Sequence, residues 1–314
     1  MKILAAFFRL VRWPNLVFIA LTQVLFEYCV YRGIYAPVAD TQGETRQFVF
    51  LLLASVLIAS AGYIINDYFD LNIDQVNKPD KVVVNVIISR RWVIFWHMFL
   101  SLLGLFFTVS ALPIANYWHL VLANFASIIL LWFYSTNLKK QLLIGNVLIS
   151  VLTAWVILVI FFAKYPLSIR SLLLADHNEI RFFRFAVLYA SFAFIISLIR
   201  EVVKDMEDVE GDRKYGCRTM PILWGMNASK VFVAVWIIVL VAVLSVLQVY
   251  VIPFGWWHSA LYCLLLIILP LLWVLRKLFK AKTPDDFHQL STVVKLVMFT
   301  GILSMIFFRI YFSQ

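Results

Sequence analysis

Long apolar runs alternate with short polar stretches along this chain. They fall at about 16–31, 48–65, 92–114, 117–134, 142–162, 185–203, 231–251, 260–275 and 293–311. A helix that crosses a bilayer needs about 20 apolar residues, and each run reaches or approaches that length. The pattern predicts an all-α integral membrane protein, a bundle of nine transmembrane helices, with residues 1–314 as a single transmembrane domain. Composition agrees: 63% of the residues are hydrophobic and 14% charged, with a mean hydropathy of +0.92, well beyond the roughly half-apolar composition of soluble domains.

Two stretches break the apolar pattern. Directly after the second run comes Asn66-Asp67-Tyr68-Phe69-Asp70-Leu71-Asn72-Ile73-Asp74-Gln75-Val76-Asn77-Lys78-Pro79. Directly after the sixth comes Lys204-Asp205-Met206-Glu207-Asp208-Val209-Glu210-Gly211-Asp212-Arg213-Lys214. Both space three aspartates by three and then four. At about 100° per residue on a helix, Asp67, Asp70 and Asp74 share one narrow sector, as do Asp205, Asp208 and Asp212. Gly211 is the expected point of interruption in the second stretch and would move Asp212 out of its sector. Six of the 17 acidic residues are thus gathered into two clusters.

Nine crossings put both clusters on the side of the N-terminus, where they can share one site. The N-terminal stretch carries Lys2, Arg9 and Arg12 and has no small-residue cleavage site, so no removable signal peptide is expected. Of the 27 basic residues, seven (Arg32, Arg46, Lys164, Arg170, Arg181, Arg184 and Arg309) fall on the opposite face and the rest on or near the N-terminal one. By the positive-inside rule the clusters are expected to be cytoplasmic, at a bacterial or archaeal cell membrane. The net charge of +10 then reads as topology plus attraction to anionic lipid or substrate, and no nucleic-acid partner is expected. Cys29, Cys217 and Cys263 have no paired spacing, and His97, His119, His177, His258 and His288 have no ligand spacing, so these residues point to packing.

Clustered carboxylates beside Lys78, Lys81, Lys139, Lys140, Lys204, Arg213 and Lys214 suit one chemistry in particular. Mg²⁺ takes one or two carboxylates and leaves its other positions to water and phosphate oxygens. Lysines and arginines bind the same phosphates directly. The combination is a diphosphate site in which metals and basic groups stabilise the charge that develops on a leaving diphosphate. An isoprenoid diphosphate fits, because its tail belongs among apolar helices and its head at the interface.

Asn66-Asp67-x-x-Asp70-x-x-x-Asp74-x-x-Asn77 resembles the first signature of the UbiA-type intramembrane prenyltransferases, and Asp205-x-x-Asp208-x-x-x-Asp212 resembles the second. Tyr134-Ser135-x-x-Leu138-Lys139 and Arg12-x-x-Asn15 are similar to two lesser landmarks. The resemblance implies a helical bundle open sideways to lipid, two Mg²⁺ ions in a polar cap, and transfer of a prenyl group to a lipophilic acceptor; with the charge distribution, a polar cytoplasmic cap is expected. Asp67, Asp70 and Asp74 would hold one ion and Asp205, Asp208 and Asp212 the other. Asn66 and Asn77 would orient the first cluster, and Lys78, Lys139 and Lys204 would contact the diphosphate, with Lys81, Arg213, Tyr134 and Asn15 as further substrate contacts. Aromatic faces, Tyr68, Phe69 and Tyr134 by position, are candidates to stabilise a cation-like allylic carbon, although aromatics make up 17% of the chain and packing is the favoured role for each.

The run from Arg200 to Asp212 is most similar to the branch that makes archaeal-type ether lipids, the geranylgeranylglyceryl phosphate geranylgeranyltransferases. After Asn77-Lys78-Pro79, however, that branch continues with an Arg-Pro-Ile-Pro-Ser-Gly-like stretch, where this chain has Asp80-Lys81-Val82-Val83-Val84-Asn85-Val86-Ile87-Ile88-Ser89. Quinone or other aromatic acceptors therefore stay open. So does a transporter, a class that places acids at mid-membrane; Glu27, inside the first run, either faces a cavity or pairs internally. The stretch 164–184 reads as an interfacial loop.

Overall fold

The computed structural model describes residues 2–35, 42–77, 82–165 and 177–312. Its helices are α1 (Lys2–Leu10), α2 (Trp13–Leu25), α3 (Arg32–Tyr35), α4 (Gln42–Asn77), α5 (Arg90–Ala111), α6 (Ile114–Thr136), α7 (Ile144–Lys164), α8 (His177–Glu207), α9 (Val209–Lys214), α10 (Met220–Leu223), α11 (Met226–Val251), α12 (Trp257–Cys263), α13 (Leu269–Leu278), α14 (Pro284–Leu303) and α15 (Ile306–Phe312). A π-helical turn, Phe26–Tyr31, joins α2 to α3, and another, Leu264–Ile268, joins α12 to α13. Among the described residues nine helical segments are long and apolar enough to cross a membrane, matching the nine runs. The protein is a multi-pass integral membrane protein.

Helix ends differ from the hydropathy boundaries in one systematic way. The second apolar run stops near residue 65, yet α4 continues for three more turns to Asn77, and α8 likewise runs past its apolar run to Glu207. Once a helix is nucleated each added residue gains a backbone hydrogen bond, and even weak formers such as Asn and Asp cost only a fraction of a kcal/mol, about 0.7 at most, against alanine, so both helices continue out of the apolar layer. The stretch 164–184, expected as a loop, is helical from His177 onward, while 166–176 lie outside the described residues.

The helices group into two compact units. The first comprises Met1–Glu27, Ile34–Leu138 and Trp155–Val187; the second comprises Tyr28–Gly33, Lys139–Ala154 and Leu188–Gln314. In the first, α4 packs chiefly on α5 and α6. Two glycines allow the approach: a Cβ on Gly104 would come 2.8 Å from Ile58 Cγ1, and one on Gly62 would come 2.8 Å from Leu131 Cδ1. Lipid offers no hydrophobic drive between helices, so such close contacts carry the packing. The apolar cluster beneath the Asp67 region joins Leu10, Ile64, Leu71, Val83, Val84 and Ile88, so the turn 83–88 is anchored by its own valines and isoleucine. Asn85 supplies the left-handed residue of that turn, with φ 64°. In the second unit, α13 packs between α11 and α14 around Leu271, Val274, Val233 and Val294.

Glu27 resolves as an internally paired acid. It sits fully buried on the π-helical turn with Lys164 Nζ donating to its Oε1 at 2.8 Å, beside a small pocket lined by Gln47, Phe48 and Leu51. The pair satisfies two charges that would be very costly apart in this setting.

Candidate functional site

The first aspartate cluster lies on an unbroken helix. Asp67, Asp70 and Asp74 are half-buried on the last turns of α4, with Asn77 as its final residue. Free carbonyls give a helix C-terminus a partial negative charge, so carboxylates there call for cations. One cation is present: Arg12 Nη2 donates to Asp67 Oδ1 at 2.7 Å. The same guanidinium lies over the ring of Tyr63, 5.3 Å from its centroid, and Tyr63 stands one helical turn before Asp67 on the same sector. Attraction to Asp67 is the largest influence on Arg12 and holds its pKa above the ordinary arginine value. Asn66 Nδ2 donates to Asp70 Oδ2 at 2.7 Å.

Arg12 adopts φ 52° and ψ 53°, a left-handed conformation, at the turn between α1 and α2. The backbone N–H of Asn15, the other half of the Arg12-x-x-Asn15 landmark, donates to the Arg12 carbonyl at 2.8 Å. Lys78 and Lys81 lie outside the described residues.

The second cluster is built differently. Asp205 is on α8, Asp208 is the residue at which α8 stops and α9 begins (φ −95°, ψ 8°), and Asp212 is on α9. The interruption expected at Gly211 therefore falls three residues earlier, and Gly211 is a buried residue inside α9. A single uninterrupted sector does not describe this triad. Backbone bonds tie the pieces: Asp212 N–H donates to the Asp208 carbonyl at 3.1 Å, and Cys217 N–H to the Asp212 carbonyl at 2.9 Å. Asn146, buried in the first turn of α7, donates through Nδ2 to Asp205 Oδ2 at 2.8 Å.

Lys204 pairs with Glu201 Oε2 at 3.4 Å, and Arg200 Nη1 donates to Glu201 Oε1 at 3.2 Å. Glu201 precedes Asp205 by one helical turn and so extends the acidic sector inward. The turn Leu138–Lys140 brings Lys139 and Lys140 beside the Arg213–Arg218 segment, since Arg218 N–H donates to the Lys140 carbonyl at 2.7 Å. Arg213 is exposed, and Tyr134 is half-buried near the end of α6.

Three residues of the site escaped the sequence-based list: Arg12, Asn146 and Glu201. Glu201 could have been found from its spacing of four before Asp205, and Arg12 from the landmark it shares with Asn15. Asn146 carries no local signal. Phe69 makes edge contacts with Tyr68 and Trp132, at 5.1 and 5.7 Å between centroids, and the Arg90 guanidinium lies 5.7 Å from the centroid of the Tyr68 ring. By helical angle Phe69 points away from the carboxylate sector.

The carboxylates of both clusters offer hard oxygen ligands, which suits Mg²⁺. Among the described residues no three His, Cys, Asp or Glu groups converge into a ready-made metal cage. A Mg²⁺ ion bound through one or two carboxylates and phosphate oxygens requires none. Partners such as Asn66 and Asn146 that orient ligating carboxylates are the usual support of such sites.

Among the described residues, nine helices are long and apolar enough to cross a membrane, and two of them end at aspartate clusters braced by amide and guanidinium donors, which defines a helical integral membrane protein with acidic helix ends. The chain belongs to the UbiA prenyltransferase family, whose model matches residues 28–302. It is similar to the digeranylgeranylglyceryl phosphate synthase of Methanothermobacter thermautotrophicus, 37% identical over 198 residues, which are 60% of this chain. The chain spans 62% of the length of that relative. A solved structure concerning digeranylgeranylglyceryl phosphate synthase in membranes superposes with a TM-score of 0.61 at 20% identity, covering 98% of this chain and 99% of that one. A UbiA homolog from Archaeoglobus fulgidus bound to DMAPP and Mg²⁺ gives 0.56 at 16% identity, covering 95% and 98%. These likenesses establish the fold.

Proposed function

We propose that this protein transfers a geranylgeranyl group from its diphosphate to geranylgeranylglyceryl phosphate. The observation that carries the reading is the pair of braced aspartate clusters on the ends of α4 and α8, in a chain of this family. The names of its relatives support the acceptor, and the ligands of the Archaeoglobus fulgidus homolog support an isoprenoid diphosphate donor with Mg²⁺.

In this reading Asp67, Asp70 and Asp74 hold one Mg²⁺ and Asp205, Asp208 and Asp212 hold another, on the cytoplasmic face. Mg²⁺ held there would supply positive charge to offset the charge that develops on the diphosphate as the allylic carbon–oxygen bond breaks. Asn66 and Asn146 keep one oxygen of Asp70 and of Asp205 engaged, which fixes the carboxylate planes. Lys139, Lys204, Arg213, Lys78 and Lys81 supply positive charge to phosphate oxygens. The acceptor hydroxyl attacks the loosened carbon and forms the carbon–oxygen ether bond as the diphosphate leaves with the bonding pair, and the hydroxyl proton passes to solvent water.

The test is diphosphate release from geranylgeranyl diphosphate by the full chain in lipid, with Mg²⁺ or EDTA, offering geranylgeranylglyceryl phosphate or an aromatic quinone precursor. Metal-dependent transfer to the glycerol lipid, lost in Asp70→Ala, is expected. Transfer to the aromatic acceptor alone would move the protein to the quinone branch, and no reaction with any prenyl diphosphate would reject the reading.

A further inference from the structure

We propose that Arg12 holds Asp67 until metal competes for it, and passes to the donor's diphosphate when metal and donor bind. The inference rests on the prenyl-transfer reading and adds a donor-binding residue and an order of events to it.

Four observations carry it. Arg12 Nη2 is 2.7 Å from Asp67 Oδ1, so an oxygen that a divalent cation would use is already engaged by a positive group. Arg12 belongs to the turn between α1 and α2, outside either helix, and its left-handed backbone is a conformation that only surrounding contacts maintain. Its guanidinium also rests on Tyr63, which stands one turn before Asp67 on the same sector of α4. That ring can keep the cation at the site after the carboxylate turns to another partner. Finally, a guanidinium presents a planar fork of donors that matches phosphate oxygens as well as it matches a carboxylate.

These facts fix the signs of two affinities. Metal arriving alone must compete with Arg12 for Asp67 and leaves the guanidinium without that carboxylate. Metal arriving with a diphosphate meets no such cost, because the displaced guanidinium gains phosphate oxygens. Mg²⁺ and diphosphate therefore strengthen each other's binding, and by linkage each does so by the same factor. Arg12 is the residue through which a large part of that coupling passes.

The test uses the full chain in phosphatidylcholine nanodiscs, with Mg²⁺ titrated calorimetrically in the absence and presence of inorganic diphosphate. The parent should bind Mg²⁺ about tenfold more tightly with diphosphate present, the scale of one charged hydrogen bond. Arg12→Gln should bind Mg²⁺ alone more tightly than the parent, by about threefold or more, and lose most of the enhancement by diphosphate. Arg12→Lys keeps the charge with one donor head in place of the fork; it should shift both quantities in the same directions by less. An unchanged or weakened affinity for Mg²⁺ alone in both variants would overturn the exchange and leave Arg12 as a brace for Asp67. If the parent binds no diphosphate with Mg²⁺, the prenyl-transfer reading itself fails; that outcome is distinct from a coupled parent whose variants bind Mg²⁺ no better.

Discussion

The two aspartate clusters share a spacing and differ in backbone. Asp67, Asp70 and Asp74 ride one continuous helix, so the helix alone sets their separations. Asp205, Asp208 and Asp212 straddle the break between α8 and α9, so their separations depend on how two helices meet. Each cluster nevertheless takes one clamp from beside the start of a helix where a non-glycine residue is left-handed: Arg12 is itself that residue (φ 52°), just before α2, and Asn146 lies three positions after Leu143 (φ 57°), in the first turn of α7. Such residues cost of order 1–3 kcal/mol and persist where surrounding contacts over-determine them. The difference teaches that an identical aspartate pattern can be rigid by local structure in one place and by tertiary contact in the other.

The comparison can be broken most severely at the break itself. Asp208→Ala removes a proposed metal ligand at the junction of α8 and α9, and transfer should fall by about 10²–10³-fold, the scale for losing one stabiliser of a developing charge. A fall of less than tenfold would show that the second cluster works without its central carboxylate.

A smaller and sharper contrast lies between the two asparagines. Asn146 reaches Asp205 from another helix, so Asn146→Ala should weaken Mg²⁺-dependent activity by about 10–100-fold, as loss of an orienting partner does. Asn66 reaches Asp70 from the same helix, and α4 keeps Asp70 in place without it; Asn66→Ala should cost less than about tenfold. The check is the Mg²⁺ concentration for half-maximal transfer in each variant. If Asn66→Ala proves the more damaging, local rigidity does not protect the first cluster.

That same contrast sets what could be read from sequence. Spacings of three and four on a helix are local, so the first triad, the nine apolar runs and the acidic extension at Glu201 are all recoverable from pattern. The clamps are not local: Arg12 and Asp67 are 55 positions apart, and Asn146 and Asp205 are 59 apart. The break at Asp208 was hidden because glycine is the stronger helix interrupter on propensity, yet Gly211 is tolerated inside the short α9. For Tyr68 and Phe69 the abundance of aromatics already favours packing, and helical angle turns Phe69 from the carboxylates toward Trp132. Extent of helix was underestimated at α4 and α8, because hydropathy marks the apolar layer and not the end of hydrogen bonding.

The smallest effect should come from His288, whose Nδ1 lies 3.0 Å from Glu207 Oε1 and so links α14 to the last residue of α8. Glu207 is turned away from the carboxylate sector of its helix, which makes this contact a strut and not a substrate contact. The His288 side chain is largely exposed, and solvent-screened pairs contribute about 0–1 kcal/mol. His288→Ala should therefore change transfer by about threefold at most, but it should do so in one region only. Amide hydrogen exchange should speed up across residues 205–214, where the break leaves geometry to tertiary contacts, and stay unchanged across 66–77 on the continuous helix. Equal acceleration in both segments would mean that the two clusters are held by one cooperative structure, and unchanged exchange in 205–214 would mean that the bonds from Asp212 to Asp208 and from Cys217 to Asp212 already suffice to fix the break.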